Sequence, residues 1–233
     1  MNLFYSPAVS PSSHTFDKEE SAHIVRVLRL KEGDSLHLTN GKGSLYECTI
    51  SLADPKRCNV SLDSHTLFPP SPHPLHIAIA PTKNISRFEW FLEKATEIGV
   101  DAITPLICTR SERTIVKTDR LQKVLIAAMK QSSKTWLPAL RDLQPFRELI
   151  RGPFNGQRFI AWCETETEAL LQKVLIPDQP VLILIGPEGD FSDEEVGQAI
   201  AAGFTPVSLG SSRLRTETAG VVACVVFQQM SML

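Results

Sequence analysis

The sequence lacks the features typical of membrane, secreted and zinc-binding proteins. Its 233 residues contain no apolar run long enough to cross a bilayer, and the N-terminus has neither the basic stretch nor the apolar segment of a signal peptide. The five cysteines form no C-x-x-C pair, which predicts a reduced, cytoplasmic protein without a disulfide framework. The 24 basic and 26 acidic residues nearly balance, so net charge alone does not indicate nucleic-acid binding.

Several common catalytic motifs are also missing. The sequence has neither G-x-G-x-x-G nor G-x-x-x-x-G-K-[ST], which excludes the usual dinucleotide fingerprint and the P-loop. It has neither G-x-S-x-G nor H-E-x-x-H. All six histidines lie within the first 76 residues, so a histidine-based triad in the remainder is nearly excluded, and we expect no metal site there.

The charges are unevenly distributed along the chain. Residues 83–147 contain 12 basic and 7 acidic residues, a net charge of +5, whereas residues 148–233 contain 5 and 11, a net charge of −6. The middle segment is either an ordinary set of solvated helix faces or a basic surface suited to a phosphate backbone.

A proline-rich stretch divides the chain. Residues 69–74 contain four prolines and predict a stiff linker. Residues 1–68 show short alternating strands, a hairpin turn at Asn40-Gly41 and one helix with Asp17 as its N-cap, so they predict a small β-barrel-like domain.

Residues 75–233 show strands that alternate with helices. The continuously apolar segment Val181–Ile185 is typical of a parallel strand covered on both faces. Capping boxes are predicted at Ser86–Glu89 and Ser192–Glu195. This pattern predicts a doubly wound α/β domain.

Two loops follow apolar strands where α/β proteins bind ligands. In the first, Gly186 and Gly189 flank Pro187, which allows a sharp bend with positive φ and an approachable backbone. The alternative is a plain turn capped by Ser192. The second loop runs from Leu209 to Gly220. Its alternative interpretation is a helix start with Thr216 or Thr218 as N-cap and Glu217 in the first turn.

An ordered set of short motifs covers nearly the whole chain. It comprises residues 23–34, 40–43, 93–100, 111–113, 131–132, 186–189, 209–210 and 214–219. The ordered set resembles the RsmE family of ribosomal RNA small-subunit uridine N3-methyltransferases, which belongs to the SPOUT superfamily. The chain departs from the family pattern at Asp190, where a second glycine is usual, at Ser211–Arg213, where a Pro-Arg-Ile-type stretch is usual, and near Gln131, where Lys134 stands slightly displaced from the usual arginine.

The resemblance implies a fold, a reaction and partners. The fold is a SPOUT-type α/β trefoil-knot domain after a PUA-like RNA-binding domain, assembled as a homodimer. The methyl donor is S-adenosylmethionine, and the acceptor is N3 of one uridine in small-subunit (16S) ribosomal RNA, either free or in an assembly particle. The alternatives are a SPOUT methyltransferase for another RNA, such as tRNA, and a non-catalytic RNA-binding protein.

Together with the resemblance, the loops after the apolar strands suggest which residues bind the cofactor and which act in catalysis. We expect the cofactor against two loops, with a third loop after Trp162 completing the pocket, and the candidates are Trp162, Ile185, Gly186, Gly189, Leu209, Gly210, Leu214 and Thr216. Uracil N3 is a poor nucleophile until its proton leaves, so Glu217 is the candidate base. Arg215 is the candidate to hold a phosphate or the developing oxyanion. Alternatively, Glu217 pairs structurally with Arg215 or Arg213. Glu97 is expected to be a structural partner.

Basic residues of the small domain are candidates for RNA contact. Arg26, Arg29 and Lys31 lie within the longest motif of the resemblance. The alternative is that Arg26 and Arg29, three apart on one helix, form ion pairs with carboxylates such as Glu32.

The last helix is apolar nearly all round from Ala219 to Phe227. It is therefore either buried within its own domain or covered by the mate in a dimer.

Overall fold

The computed structural model describes residues 2–10, 12–163 and 169–231. The chain forms an N-terminal unit, Met1–Pro70 with Met129–Leu137, and a C-terminal unit, Ser71–Ala128 with Pro138–Leu233. The grouping of Met129–Leu137 with the N-terminal unit differs from the predicted division, in which the second domain is continuous from residue 75. The reason is hydrogen bonding to the loop after the first hairpin strand. The backbone N–H of Gly43 donates to Thr135 O at 3.0 Å, and that of Leu137 donates to Gly41 O at 3.0 Å.

The N-terminal unit is built on a five-stranded sheet in the order β1-β3-β4-β5-β2. Its strands are β1 (Leu3–Tyr5), β2 (Ser13–Thr15), β3 (Ser35–Thr39), β4 (Ser44–Leu52) and β5 (Asn59–Leu67). The β1–β3 pair is parallel and the other pairs are antiparallel. The apolar side chains of β3, β4 and β5 pack with Phe4, Phe16 and Ile24 in one core. Strands β1 and β2 have three residues each, too few for a sequence alternation to reveal them.

The helix of this unit starts as predicted but ends sooner. Helix α1 (Lys18–Ala22) begins after Asp17, whose carboxylate accepts from the Glu20 N–H at 2.8 Å. A π-helical turn, His23–Val27, follows directly. Arg29 then has a left-handed backbone with φ +57°, which turns the chain away. The expectation that Arg26 and Arg29 share one helix is therefore wrong, and Glu32 accepts a hydrogen bond from the Ala53 N–H.

The C-terminal unit is built on a parallel sheet in the order β12-β10-β11-β6-β7-β8, with β9 also paired to β7. The strands are β6 (Leu75–Ile79), β7 (Ala102–Ile107), β8 (Ala139–Leu140), β9 (Gln144–Pro145), β10 (Gln157–Ala161), β11 (Val181–Ile185) and β12 (Thr205–Val207). The strand pairs in the described part of this sheet are all parallel, which confirms the predicted α/β class.

Helices cover both faces of this sheet. They are α2 (Ile85–Ile98), α3 (Thr118–Gln131), α4 (Phe146–Arg151), α5 (Leu171–Val174), α6 (Asp193–Ala201) and α7 (Thr216–Met230). Helices α4 and α6 pack on the face that carries Ala78 and Leu184, where Phe146 and Val196 join one core. Helices α2 and α7 pack together on the other face, beside Ile79. In the described part of the chain, no helix is long and apolar enough to cross a membrane.

Of the helix caps predicted for the C-terminal unit, one is confirmed and the others are wrong. The capping box at Ser192–Glu195 is confirmed. The box at Ser86–Glu89 is wrong, because the N-cap lies two residues earlier, at Asn84, whose side chain accepts from the Ser86 N–H at 3.1 Å. Helix α7 begins after Arg215 without a side-chain cap, so neither Thr216 nor Thr218 is an N-cap.

Candidate active site

The predicted cofactor residues belong to three neighbouring loops. Strand β10 lies between β11 and β12 in the parallel sheet, so the loops after these strands emerge side by side at the carboxyl edge. The loop after β10 begins at Trp162, whose ring is partly buried against the core. Residues 164–168, which continue the expected third wall, lie outside the described residues.

The loop after β11 is fixed by residues from two other strand ends. The Lys83 N–H, after β6, donates to Glu188 Oε1 at 2.9 Å. Arg110, after β7, donates to Gly189 O at 2.8 Å. Arg113 donates to the carbonyls of Thr82 at 3.0 Å and Lys83 at 2.6 Å. Sequence reasoning did not assign these arginines to the site, because their acceptors are carbonyl groups that any residue type offers.

The bend in this loop does not depend on its glycines in the expected way. The residue with positive φ is Asp190, at +62°, whereas Gly186 and Gly189 have ordinary φ values, so that expectation is wrong. Aspartate tolerates this conformation better than most residues, which explains how the chain departs from the usual glycine here. Its carboxylate also accepts from the Phe191 N–H at 2.8 Å and the Cys163 N–H at 3.3 Å.

The two glycines have different surroundings. A Cβ at Gly186 would lie 3.1 Å from Phe191, so glycine here allows that ring to pack closely. A Cβ at Gly189 would touch Arg110 at 3.4 Å, an ordinary contact. The fold therefore requires glycine more strictly at position 186, and Gly189 is exposed.

The loop after β12 presents an open backbone. Gly210 has φ +133°, and a Cβ added there would meet no atom within 4 Å. Within the described part of the chain, no backbone N–H from Ser211 to Arg215 donates to a backbone acceptor. These N–H groups can therefore donate to a ligand, as the predicted cofactor loop requires. Ile185 and Thr216 are buried, at 2% and 4% exposure.

An open cleft of about 590 Å³ lies between α2 and the start of α7. Its walls combine three arginines, a tryptophan and a carboxylate: Ser86, Arg87, Trp90, Arg213, Leu214, Arg215, Glu217 and Thr218. The predicted residues Leu214, Arg215 and Glu217 are thus brought together, whereas the other cofactor candidates do not line this cleft. Arg87 and Trp90 were missed. The signal was available, because Trp90 is an aromatic residue on the polar face of an amphipathic helix.

Glu217 is the buried ionisable group of the cleft. The residue is 7% exposed, and its Oε1 lies 3.9 Å from Arg87 Nε. Its Oε2 is buried and has no hydrogen-bond partner among the described residues. The alternative expectation, that Glu217 pairs structurally with Arg213 or Arg215, is wrong, because the cation beside its carboxylate is Arg87. Glu97, by contrast, is the structural partner that was expected, with Lys94 Nζ 2.9 Å from its Oε1.

Arg26, Arg29 and Lys31 are all exposed on the N-terminal unit. None of the three forms an ion pair with any residue that the structure describes, including Glu32. Val27, between the two arginines, is 65% exposed. Three exposed basic residues and one exposed apolar residue thus lie within six positions of the chain.

Metal ligation has no support in the described part of the chain, where no three His, Cys, Asp or Glu side chains are grouped to hold an ion.

Comparisons with known proteins agree with this arrangement. Residues 69–228 match the model of an RNA methyltransferase domain, and residues 16–63 match that of an RNA methyltransferase PUA domain. The ribosomal RNA small subunit methyltransferase E of a Synechocystis species is 31% identical over 211 residues, which cover 86% of this chain and 68% of the relative.

Two solved structures are similar over almost the full chain. A "probable rRNA-methyltransferase" from Porphyromonas gingivalis has a TM-score of 0.91 and 43% identity, covering 100% of this chain and 99% of the other. A ribosomal RNA small subunit methyltransferase E from Neisseria gonorrhoeae, bound to S-adenosylmethionine, has a TM-score of 0.87 and 26% identity, covering 98% and 97%.

Proposed function

The chain belongs to the RNA methyltransferase family, whose catalytic and PUA domain models it matches, and on that premise we propose that it methylates N3 of a uridine in small-subunit ribosomal RNA with S-adenosylmethionine as donor. The observation that carries the proposal is Glu217, a buried carboxylate with an unpartnered oxygen in an open cleft next to the loop after β12. A buried acceptor without a partner is costly, so its retention favours a ligand that donates a proton to it.

The open backbone of two loops supports cofactor binding at the carboxyl edge. Gly186–Gly189 and Leu209–Thr216 would hold S-adenosylmethionine largely through backbone groups, with Trp162 at the side. The cofactor supplies an activated methyl group. The residues of this chain fix its place and exclude water from it.

Glu217 and Arg215 have different roles toward the acceptor base. Glu217 takes the N3 proton on Oε2, which leaves negative charge spread over N3 and the two uracil carbonyl oxygens. Arg215 lines the same cleft, and its guanidinium stabilises that charge or an adjacent phosphate.

The exposed basic residues of the N-terminal unit are the proposed RNA contacts. Arg26 belongs to a π-helical turn, and Arg29 holds a left-handed backbone that a bulky residue adopts at a cost. Both irregularities are enriched at functional sites. Lys31 adds a third exposed charge, and the three together suit a phosphate backbone.

We propose a homodimer that forms through α7. This helix buries one side in its own unit but leaves Val221, Val222 and Val226 half-buried and Val225 36% exposed. Such an apolar strip suits an isologous contact. Sedimentation at micromolar concentration should give twice the mass of the chain, and a monomer would contradict the dimer. A trefoil knot around α7 and a cytoplasmic location, where ribosomal RNA is made, complete the proposal.

The decisive experiment combines calorimetry with mass spectrometry. Wild-type protein should bind S-adenosylmethionine, and ribosomal RNA from a deletion strain should lack one methyluridine that the wild-type gene restores. Glu217→Gln should keep cofactor binding but fail to restore the methyl group. Absence of cofactor binding even with RNA present would favour the non-catalytic alternative, and methylation found only on tRNA would change the substrate.

A further inference from the structure

Helix α2 contributes a wall to the cleft that the cofactor loops do not explain. Its inner side is formed by Phe88, Phe91 and Leu92, which are fully buried. Its outer side carries Arg87 and Trp90, three residues apart and therefore on one face. The Trp90 ring is 42% exposed where it borders the cleft. An exposed tryptophan alone is unremarkable, but this one shares a cleft with the unpartnered carboxylate of Glu217.

The contact between Arg87 and Glu217 leaves the carboxylate free to act. The separation of 3.9 Å between Arg87 Nε and Glu217 Oε1 is too long for a hydrogen bond, so the attraction is electrostatic. Oε2 remains without a partner. The guanidinium of Arg87 thus attracts one oxygen, while the other is buried and has no hydrogen-bond partner among the described residues.

The three kinds of group in the cleft match one class of ligand. An aromatic ring offers a stacking surface to any base, and the carboxylate accepts from a ring N–H. Arg213 and Arg215 are exposed at the rim, where positive charge suits the phosphates on either side of a nucleotide. A planar base with an acidic ring N–H, within a phosphodiester chain, fits all three.

We propose that α2 positions the target base: Trp90 stacks on its face, and Arg87 holds Glu217 so that Oε2 meets the ring N–H. This inference rests on the proposed function and deepens it. Trp90 is a contact residue for the base, and Arg87 is a positioning residue that acts through Glu217. The cofactor adenine is not the stacking partner, so cofactor affinity does not depend on Trp90.

Tryptophan fluorescence tests the stacking directly. Hexauridylate, added to protein saturated with S-adenosylhomocysteine, should quench part of the emission through contact with Trp90. Trp90→Phe should remove that quenching, whereas Trp136→Phe should keep it, because Trp136 does not line the cleft. Quenching that persists in Trp90→Phe would overturn the inference.

Steady-state kinetics test both residues. Trp90→Ala should raise KM for ribosomal RNA about tenfold, because base–aromatic stacking has an effect of this order, and Trp90→Phe should restore most of it. Arg87→Ala should lower kcat with little change in KM, and Arg87→Lys should recover part of kcat. Calorimetry should give the wild-type affinity for S-adenosylmethionine in all four variants.

The outcomes separate this inference from the function on which it rests. A wild-type protein that methylates no RNA contradicts the proposed function. A wild-type protein that methylates ribosomal RNA, with a Trp90→Ala variant of equal KM, overturns only the role of Trp90. A Trp90→Ala variant that sediments as a smaller species also overturns it, because Trp90 would then serve subunit contact.

Discussion

The backbone N–H of Lys83 donates to Oε1 of Glu188 at 2.9 Å, although the two residues are 105 positions apart. The hydrogen bond joins the loop after β6 to the loop after β11. The Lys83 ammonium also pairs with Glu112 at 2.8 Å, and its carbonyl accepts from Arg113. The candidate cofactor loop is therefore held by residues from strand ends that carry none of the predicted cofactor residues.

Glu188→Ala should weaken S-adenosylmethionine binding about fivefold, because the loss of one charge-assisted hydrogen bond costs about 1 kcal/mol at an exposed site. Glu188→Gln keeps a carbonyl oxygen that can accept from Lys83, so it should bind nearly as well as wild type. Calorimetry measures both, and equal weakening by the two variants would show that the charge, rather than the hydrogen bond, matters.

Gly220→Ala should destabilise the fold by about 1–3 kcal/mol, because the new methyl group would overpack the contact between α2 and α7. The added Cβ would lie 2.6 Å from Phe91 Cε2 and 2.9 Å from Ile79. Gly197→Ala is the matched control within α6, where an added Cβ meets nothing within 4 Å, and it should stabilise the fold by about 0.5–1 kcal/mol. Urea unfolding gives both values, and a neutral Gly220→Ala would mean that the helices shift apart easily.

His76 should make stability depend on pH in the acid range. Burial, followed by the charge of Arg141, lowers the pKa of His76 from 6.5 to about 4. The unfolded chain therefore binds the proton more readily between those values, so stability is full above pH 6.5 and falls by about 3 kcal/mol as the pH drops toward 4.

The His76→Gln variant should lose less stability than wild type over this pH range, since its amide cannot titrate but can still bond to Thr104, whose Oγ1 lies 2.8 Å from His76 Nε2. His65→Gln, at an exposed position, should behave as wild type. Urea unfolding at pH 7 and pH 4.5 makes the comparison, and equal losses in wild type and His76→Gln would exclude this histidine as the cause.

The double variant Arg26→Ala/Arg29→Ala should weaken RNA binding and reduce the slope of log affinity against log salt concentration by about 1.4. The reason is that two phosphate contacts are lost, so RNA binding releases fewer counterions. Lys56→Ala/Arg57→Ala removes the same charge from exposed positions of the same unit and should change the slope little. Cofactor affinity should be unchanged in both. An unaltered slope for the first pair would assign RNA contact to the basic middle segment.

The sequence by itself determined the fold class and the family. Val181–Ile185 became a fully buried parallel strand, and the Ser192–Glu195 box formed as predicted, since both depend on residues close together in the chain. The motif set that resembles the RsmE family is confirmed by the match over residues 69–228. The same motifs brought Arg215 and Glu217 into consideration, and whether they act in catalysis stays a prediction.

Only the tertiary structure decided which distant segments of the chain come into contact. It placed β10 between β11 and β12, set Arg87 beside Glu217, and gave the left-handed backbone to Asp190 rather than to a glycine. It also grouped Met129–Leu137 with the N-terminal unit through hydrogen bonds to the Gly41–Gly43 loop. These features depend on pairings between distant segments, and such pairings leave no periodicity or cap in the local sequence. Arg87 and Trp90 became candidates for function because the fold brings them into one cleft with Arg215 and Glu217.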